Sequence, residues 1–438
     1  MRIQSGHYIE YENNPVLLLG DSVTQGWFEC GYNFDQQGYI DALAQRGINI
    51  LMIWSYFGTN AVHQKKDDRI GYDSPELWPW YGSPDKKTFD LTRLNPAYFE
   101  RLKTFVNYAE AKNINILICV HDGWTKTRFP CHPFNSANGN GPLTDKHQYV
   151  ELADYRNEMP ACYNASWSRK QKNQYFQERF CDKLITELKP YSNVIYEMFN
   201  EGEWYDSSLR NQHEQHFLRF FRARCQNLLM TNSDAISGDD PHHDPKVDII
   251  SLHGKWENRF ETWQQGFYQT PAKPYFQSEP VSGWSGEKSF LSSIRRSLWE
   301  AALGGAGWVC QNDASFGWDK KAQMSGRSSE RDQAYDYIGH CTRFFKSEID
   351  LTEMKPKGNL ASTGIAMAAK DKKYLVYSPI GGKMTVDLSS AKGLFEYRWY
   401  NPREGEFGPP KSVNGEARRS FVSPDHNDWI LYIRKTGN

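Results

Sequence analysis

Eight short apolar runs are spaced along the first three-quarters of the chain, and most end in polar residues. They cover 16–20, 49–54, 115–120, 193–199, 235–237, 247–252, 274–278 and 307–310; the fifth is the shortest. Segments with helical spacing fall between them, at 39–47, 95–111, 168–189, 209–229, 288–303 and 329–346. In 95–111, Phe99, Leu102, Phe105, Val106 and Ala109 recur every three or four residues, and Asn95-Pro96 opens the helix. Gly47 stops the helix before it. Strands this apolar must be covered on both faces, and alternation with helices is how a parallel barrel covers them. The reading predicts an α/β fold, a (β/α)8 TIM barrel over 1–348. Its functional end is at the strand C-termini.

After about residue 350 the pattern changes. Tyr374-Leu375-Val376-Tyr377, Met384-Thr385-Val386-Asp387-Leu388, Phe395-Glu396-Tyr397-Arg398-Trp399-Tyr400 and Trp429-Ile430-Leu431-Tyr432-Ile433 read as short strands. Gly381-Gly382, Asn401-Pro402 and Pro409-Pro410 punctuate them, and no helix intervenes. A small antiparallel β-sandwich is predicted over 349–438.

Charge and hydropathy narrow the classes. There are 52 Lys and Arg against 53 Asp and Glu, a formal charge of −1, which gives no electrostatic reason to expect nucleic acid or an anionic membrane surface. No window offers about 18 uncharged apolar residues, so no spanning helix is expected. The opening Met1-Arg2-Ile3-Gln4-Ser5-Gly6-His7 is followed by no apolar leader core. As the sequence stands, a cytoplasmic protein is expected, or a secreted or periplasmic one if a leader has been trimmed. The eight cysteines include no C-x-x-C pair and several sit in apolar runs, so they read as reduced core residues. The 15 Trp, 25 Tyr and 24 Phe point to a ring-rich core, an aromatic cleft, or both.

Two carboxylates stand out by position. Glu201 follows the fourth run and Glu279 the seventh. On opposite sides of a barrel mouth, such groups can face each other across a glycosidic bond. One must stay protonated to deliver a proton, and the other ionised to attack or to activate water. Ionising one raises the pKa of the other, which favours that split. Asn200, just before Glu201, can donate to a sugar hydroxyl; its alternative is a helix cap. A lone strand-end Glu is more often a solvated or salt-bridged one, so the pair carries the argument.

The eight-unit pattern, Phe199-Asn200-Glu201 and Ser278-Glu279-Pro280 together resemble clan A of the retaining glycoside hydrolases. The resemblance covers about residues 10–345. It implies Glu201 as acid/base and Glu279 as nucleophile, acting by double displacement on a β-glycoside, with no cofactor and no metal. His253, after the sixth run, matches where that clan often places a His or Tyr beside the nucleophile. The segments 374–379, 399–406 and 428–431 look like a small sandwich often joined to barrels of the apiosidase-related group. That module is labelled collagen-binding, a label that implies no affinity for collagen. Leu18-Leu19-Gly20-Asp21-Ser22 resembles the opening of that group, which often has Gly-Asp-Thr there, so Asp21 is a candidate ligand for a substrate hydroxyl.

Further candidates come from strand ends. His121 and Asp122 can bind sugar hydroxyls or stabilise their loop. Trp308, Trp54, Trp124 and Trp204 can stack on a sugar ring or fill core. Trp78, Trp80 and Tyr81 lie in an inserted segment and read as a cleft wall. Two rival functions remain open. One is a metal-dependent barrel hydrolase using His121, Asp122, Asp239, Asp240, His242, His243 and His253. It lacks an H-x-H after the first strand. The other is a carbohydrate-binding barrel without catalysis, which the presence of both glutamates disfavours. The expected partner is an oligo- or polysaccharide; its sugar and linkage stay open.

Overall fold

The computed structural model describes residues 1, 3, 6–11, 13–23, 35–54, 77–83, 86–121, 132–143, 173–200, 207–232, 241–252, 260–278, 290–312 and 329–436. An antiparallel hairpin, β1 (Ile9–Tyr11) and β2 (Asn14–Val16), precedes β3 (Leu19–Val23). Then come α1 (Gln36–Arg46), β4 (Ile50–Trp54), the hairpin strands β5 (Trp80–Tyr81) and β6 (Asp90–Leu94), α2 (Pro96–Ala111) and β7 (Asn115–Cys119). The series continues with α3 (Asn173–Leu188), β8 (Val194–Glu197), α4 (Ser207–Arg222), β9 (Leu228–Asn232) and β10 (Ile249–Ser251). It closes with α5 (Phe260–Phe267), β11 (Tyr275–Gln277), α6 (Phe290–Leu303), β12 (Gly307–Asn312) and α7 (Ser329–Glu348). Strands β3, β4, β7, β8, β9, β10, β11 and β12 form a closed parallel barrel in that order, β12 pairing back onto β3. Among the described residues, no helix is long and apolar enough to cross a membrane.

Local chemistry sets the boundaries. Asp35 accepts from the Gly38 amide at the start of α1, and Gly47 ends it in the left-handed region at φ 81°. Asn95 accepts from the Ala97 amide, and Pro96 takes the first helical position of α2. Gly20 is required by close approach: a Cβ there would collide with the Ile50 carbonyl on the next strand.

Two barrel strands differ from the sequence reading. The first lies at Leu19–Val23, not 16–20, so Asp21 sits in mid-strand. The fifth is Leu228–Asn232, whose apolar start read as the end of a helix; that helix stops at Arg222. A short apolar run carries no periodicity that separates strand from helix. The 235–237 run lies outside the described residues.

Register separates the two faces of the barrel wall. Trp308 bonds a helix serine, Tyr196 packs on Phe221 of α4, and Thr231 donates to Glu214 of α4. These residues point outward, so their strand neighbours point into the lumen. The lower lumen is then lined by Met52, Leu117, Ile195 and Leu228, paired strand to strand, and by Met230, paired with Ile249, and Phe276, paired with Ser251. Toward the strand C-termini the lumen turns polar, with Ser22, Glu197, Ser251 and Ser278 all buried. The wall is therefore a dry plug below and a hydrogen-bonding layer above.

Beyond α7 the chain is all β. The strands are β13 (Lys355–Pro356), β14 (Ala366–Ala369), β15 (Lys373–Ser378), β16 (Lys383–Asp387), β17 (Leu394–Asn401), β18 (Glu406–Phe407), β19 (Lys411–Asn414), β20 (Arg418–Val422) and β21 (Trp429–Lys435). Seven form an antiparallel sheet in the order β13-β14-β15-β21-β17-β18, with β19 also on β17; β16 and β20 pair separately. The large sheet buries both faces. Tyr374, Val376, Trp399, Leu431 and Ile433 pack toward β16 and β20. Their alternates Leu375, Tyr377, Tyr400, Ile430 and Tyr432 join the barrel core.

That second face lies on α6 and α7. Trp299 meets Tyr377 and Tyr400 at ring-centroid distances of 6.5 and 6.0 Å, and Phe344 meets Tyr400 at 4.7 Å. Arg295 donates from Nε and Nη2 to Asp428 at 2.9 and 3.0 Å, with both residues buried. Cys181, Cys225 and Cys341 are buried free thiols, in keeping with the reduced reading.

Candidate active site

The mouth of the barrel is defined by its described strand ends. The chain leaves β8 through Met198, Phe199 and Asn200, all buried. The Met198 amide donates to the Met230 carbonyl, and the Asn200 amide to the His121 carbonyl at 2.8 Å. The backbone is thus held by both neighbouring strands up to the residue before Glu201. The chain leaves β11 through Ser278, whose Oγ lies 2.9 Å from Ser251 Oγ on β10. Glu279 follows directly. Glu201, Glu279, His253, Asp122 and Trp124 lie outside the described residues, as do Trp204, Asp239 and Asp240. Trp54 is the last residue of β4, at the mouth end of the wall.

Three candidates fall on the other side of the wall. Asp21 is fully buried, and its Oδ2 accepts from Tyr39 of α1 at 2.5 Å and from Tyr335 of α7 at 2.8 Å. Burial first, and then the Asp21 charge, holds the Tyr39 hydroxyl protonated. The expected substrate contact is corrected: Asp21 ties the first helix to the last across the seam where β12 meets β3. The reason is the strand shift noted above, which turns its side chain outward.

Trp308 is likewise corrected from a stacking floor to core. It is fully buried, and its Nε1 donates to Ser297 Oγ of α6 at 3.0 Å. It is the second residue of β12, far from the mouth end. Trp78 and Trp80 are core as well. Trp78 packs edge-on against Phe89, and Trp80 lies against Phe134 and Phe180. Tyr81 alone of that trio is exposed, under the Arg93 guanidinium at 4.5 Å.

His121 is the third correction. Its ring lies 4.6 Å from His213 and 4.4 Å from Phe217, both on α4, and its Nε2 is 3.8 Å from Cys181 Sγ on α3. It is a helix-layer residue, not a sugar ligand. Burial, then the nearby His216, pushes its pKa down to about 3. Burial pushes the Cys181 thiol up. The pair is therefore a neutral imidazole beside a neutral thiol, with none of the ionisation a cysteine nucleophile needs.

The His121 shift carries a sign. Its folded value lies below the ordinary 6.5, so unfolding takes up a proton between those limits. Its contribution is complete above pH 6.5 and is lost as acid is added, at up to about 1.4 kcal/mol per pH unit. Urea melts of His121→Gln should therefore show a shallower decline in stability between pH 6 and 4 than wild type. An unchanged slope would mean that the ring is charged or solvated in the folded protein.

Glu197 is a lumen residue that the sequence reading passed over. It is fully buried in the polar layer of β8, four residues before Glu201. Its signal was available: a carboxylate inside an otherwise apolar strand needs a reason, because burying that charge is costly. The Ser251 and Ser278 pair had no such signal, since its two members join only through strand register. Among the described residues, no group of three or more His, Cys, Asp or Glu is arranged to hold a metal ion.

Comparison with known proteins adds the fold class. Residues 357–434 match a family model described as "Putative collagen-binding domain of a collagenase", the module that segments 374–379 and 399–406 resembled. No curated protein matches the chain. A solved structure described as a glycoside hydrolase is 14% identical, with a TM-score of 0.69 over 100% of this chain and 97% of its own. A glycoside hydrolase family 5 protein from Bacteroides vulgatus ATCC 8482 is also 14% identical, with a TM-score of 0.70 over 100% and 92%. At that identity the likeness is one of fold. It spans the barrel and the C-terminal sheet together.

Proposed function

We propose that the chain is a retaining β-glycoside hydrolase acting on oligo- or polysaccharides. Glu201 is its acid/base and Glu279 its nucleophile. One positional observation carries the reading: β8 and β11 stand three apart in a closed ring of eight, and the chain meets a glutamate just beyond each mouth end. The polar lumen layer beneath, and the fold shared with solved glycoside hydrolases, support it. The Leu18-Leu19-Gly20-Asp21-Ser22 opening and the C-terminal module favour the apiosidase-related group.

In this reading Glu201 gives its proton to the glycosidic oxygen while a Glu279 carboxylate oxygen bonds to the anomeric carbon. The leaving sugar departs as an alcohol. Water then gives a proton to Glu201 and attacks the same carbon, releasing Glu279 as carboxylate. A retaining mechanism calls for two carboxyl groups about 5–5.5 Å apart. Asn200 is buried with its backbone amide held by the His121 carbonyl just past β7, which suits an amide that donates to a sugar hydroxyl. His253 would hold Glu279 ionised and oriented.

Incubation with 4-nitrophenyl β-glycosides and with plant, algal and fungal polysaccharides tests the reading. Proton NMR of the first product should show the β-anomer before mutarotation. An α-anomer would indicate single displacement with inversion, and no hydrolysis across the panel would favour the non-catalytic carbohydrate binder.

A further inference from the structure

Trp80 and Tyr81 are neighbours on β5 that take opposite sides of it. Trp80 turns inward, onto Phe134 and Phe180. Tyr81 turns out, as strand alternation requires, and 41% of it stays accessible. The register shifts across the hairpin: Leu94 faces Trp80 but Asp90 faces Tyr81, so β6 bulges between them. The bulge brings the Arg93 guanidinium over the Tyr81 ring, 4.5 Å from its centroid.

The hairpin that carries this pair is firmly framed. The Phe89 amide donates to the Asn138 carbonyl at 2.9 Å, and the Asn140 amide to the Phe89 carbonyl at 3.0 Å. The Leu91 amide donates to Asn140 Oδ1 at 2.8 Å, and Arg179 of α3 donates from Nη2 to the Thr92 carbonyl at 3.0 Å. A Cβ on Gly139 would collide with the Phe89 carbonyl, so the two backbones meet at close approach. The hairpin lies in the connection from β4 to α2, and residues 132–143 in that from β7 to α3. Both connections leave strand C-termini, so the frame belongs to the mouth side of the barrel.

On this frame Arg93 keeps its donors free. It is exposed and makes no hydrogen bond or ion pair among the described residues. Asp90 Oδ1 accepts instead from the Thr92 amide, the Thr92 hydroxyl and Asn140 Nδ2. In the hairpin turn, Lys86 and Lys87 are exposed and also lack an ion pair among the described residues, to which Asp85 does not belong. Other stacked guanidiniums have an anionic partner: Arg224, over Phe220, pairs with Asp182, and Arg403, over Trp429, with Asp428. Stacking uses the face of a guanidinium and leaves its N–H edge for an anion.

We propose that Tyr81 and Arg93 form a binding site at the rim of the mouth for an acidic sugar residue, one bearing a carboxylate or a sulfate ester. The C–H face of the sugar lies on the open part of the Tyr81 ring, and its anionic oxygens accept two parallel N–H bonds from Arg93. Lys86 and Lys87 add charge without fixing geometry. The site narrows the substrate class of the glycoside hydrolase and rests on that reading, although binding itself needs no turnover.

Isothermal titration calorimetry on the full chain carrying Glu279→Gln tests this, with trigalacturonate, a sulfated carrageenan tetrasaccharide and neutral cellotetraose as probes. At least one acidic probe should bind, about tenfold or more tighter than cellotetraose, and which one binds separates carboxylate from sulfate. Adding Arg93→Met or Tyr81→Ala should weaken that binding about tenfold or more at an unchanged melting temperature. Arg224→Met should leave it as it was, and Arg93→Gln serves if Arg93→Met does not fold. Failure of both acidic probes to bind, equal binding of cellotetraose, or an Arg93 variant with undiminished affinity overturns the proposal. So does an equal loss in Arg224→Met. If an acidic probe binds through Arg93 while wild type hydrolyses no glycan, the site stands and the hydrolase reading fails. If glycosides are hydrolysed and neither acidic probe binds, the reverse holds.

Discussion

Glu279→Gln is expected to stop glycoside turnover, by about 10⁴-fold or more, with the melting temperature essentially unchanged. A neutral amide cannot form the covalent glycosyl intermediate. Glu201→Gln should behave differently according to substrate. With a poor leaving group, the loss should be about 10²–10⁴-fold, because the departing oxygen needs a proton. With a 2,4-dinitrophenyl glycoside, departure needs no acid, so a burst of dinitrophenolate should survive and only the second step should stall. Azide, which attacks without general-base help, should then restore turnover as glycosyl azide. Full activity of either variant would remove the assignment, and loss of the burst in Glu201→Gln would reassign the acid.

The second large effect concerns the joint between the two parts. A chain ending at Glu348 should fail to give a soluble, cooperatively folding barrel. Trp299, Phe344 and Phe345 are all nearly inaccessible and rest against the C-terminal sheet or beside it. Burying each such side chain is worth about 1.5–3 kcal/mol. Together that is comparable to the whole stability of a typical domain, about 5–15 kcal/mol. Arg295 would lose its carboxylate as well, and removing one partner of a buried pair costs about 3–5 kcal/mol. The full chain should melt in one transition by calorimetry. A monomeric 1–348 fragment with an unshifted melting temperature would show the joint to be dispensable.

Much of the fold was legible because its signals are local. Runs such as 115–120 and 193–199 are too apolar for a sheet with a wet face, and 95–111 carries its cap and its periodicity together. The C-terminal strands were legible through turn chemistry. What escaped was register. One strand starting at Leu19 rather than Val16 moved Asp21 from the mouth to the helix layer. His121 and Trp308 went the same way, since a residue's place near a strand end does not tell which side of the wall it takes. The fifth strand was lost to an apolar run that fits either element. Arg295 and Asp428 could not be paired from sequence at all. They are 133 residues apart, and each alone looks like a surface charge.

The seam at Asp21 bears on how the molecule is born. Strand β3 leaves the ribosome long before its neighbour β12, which is made almost 290 residues later. Tyr335, which completes the Asp21 clamp, arrives later still. Until β12 is made the nascent sheet therefore carries an open edge at β3, with a buried-to-be carboxylate beside it. An edge of that kind invites pairing with a neighbouring nascent chain. Closure of the ring waits for β12, and docking of the C-terminal sheet for the strands that follow it. The chain is one that holdase chaperones would have long to occupy.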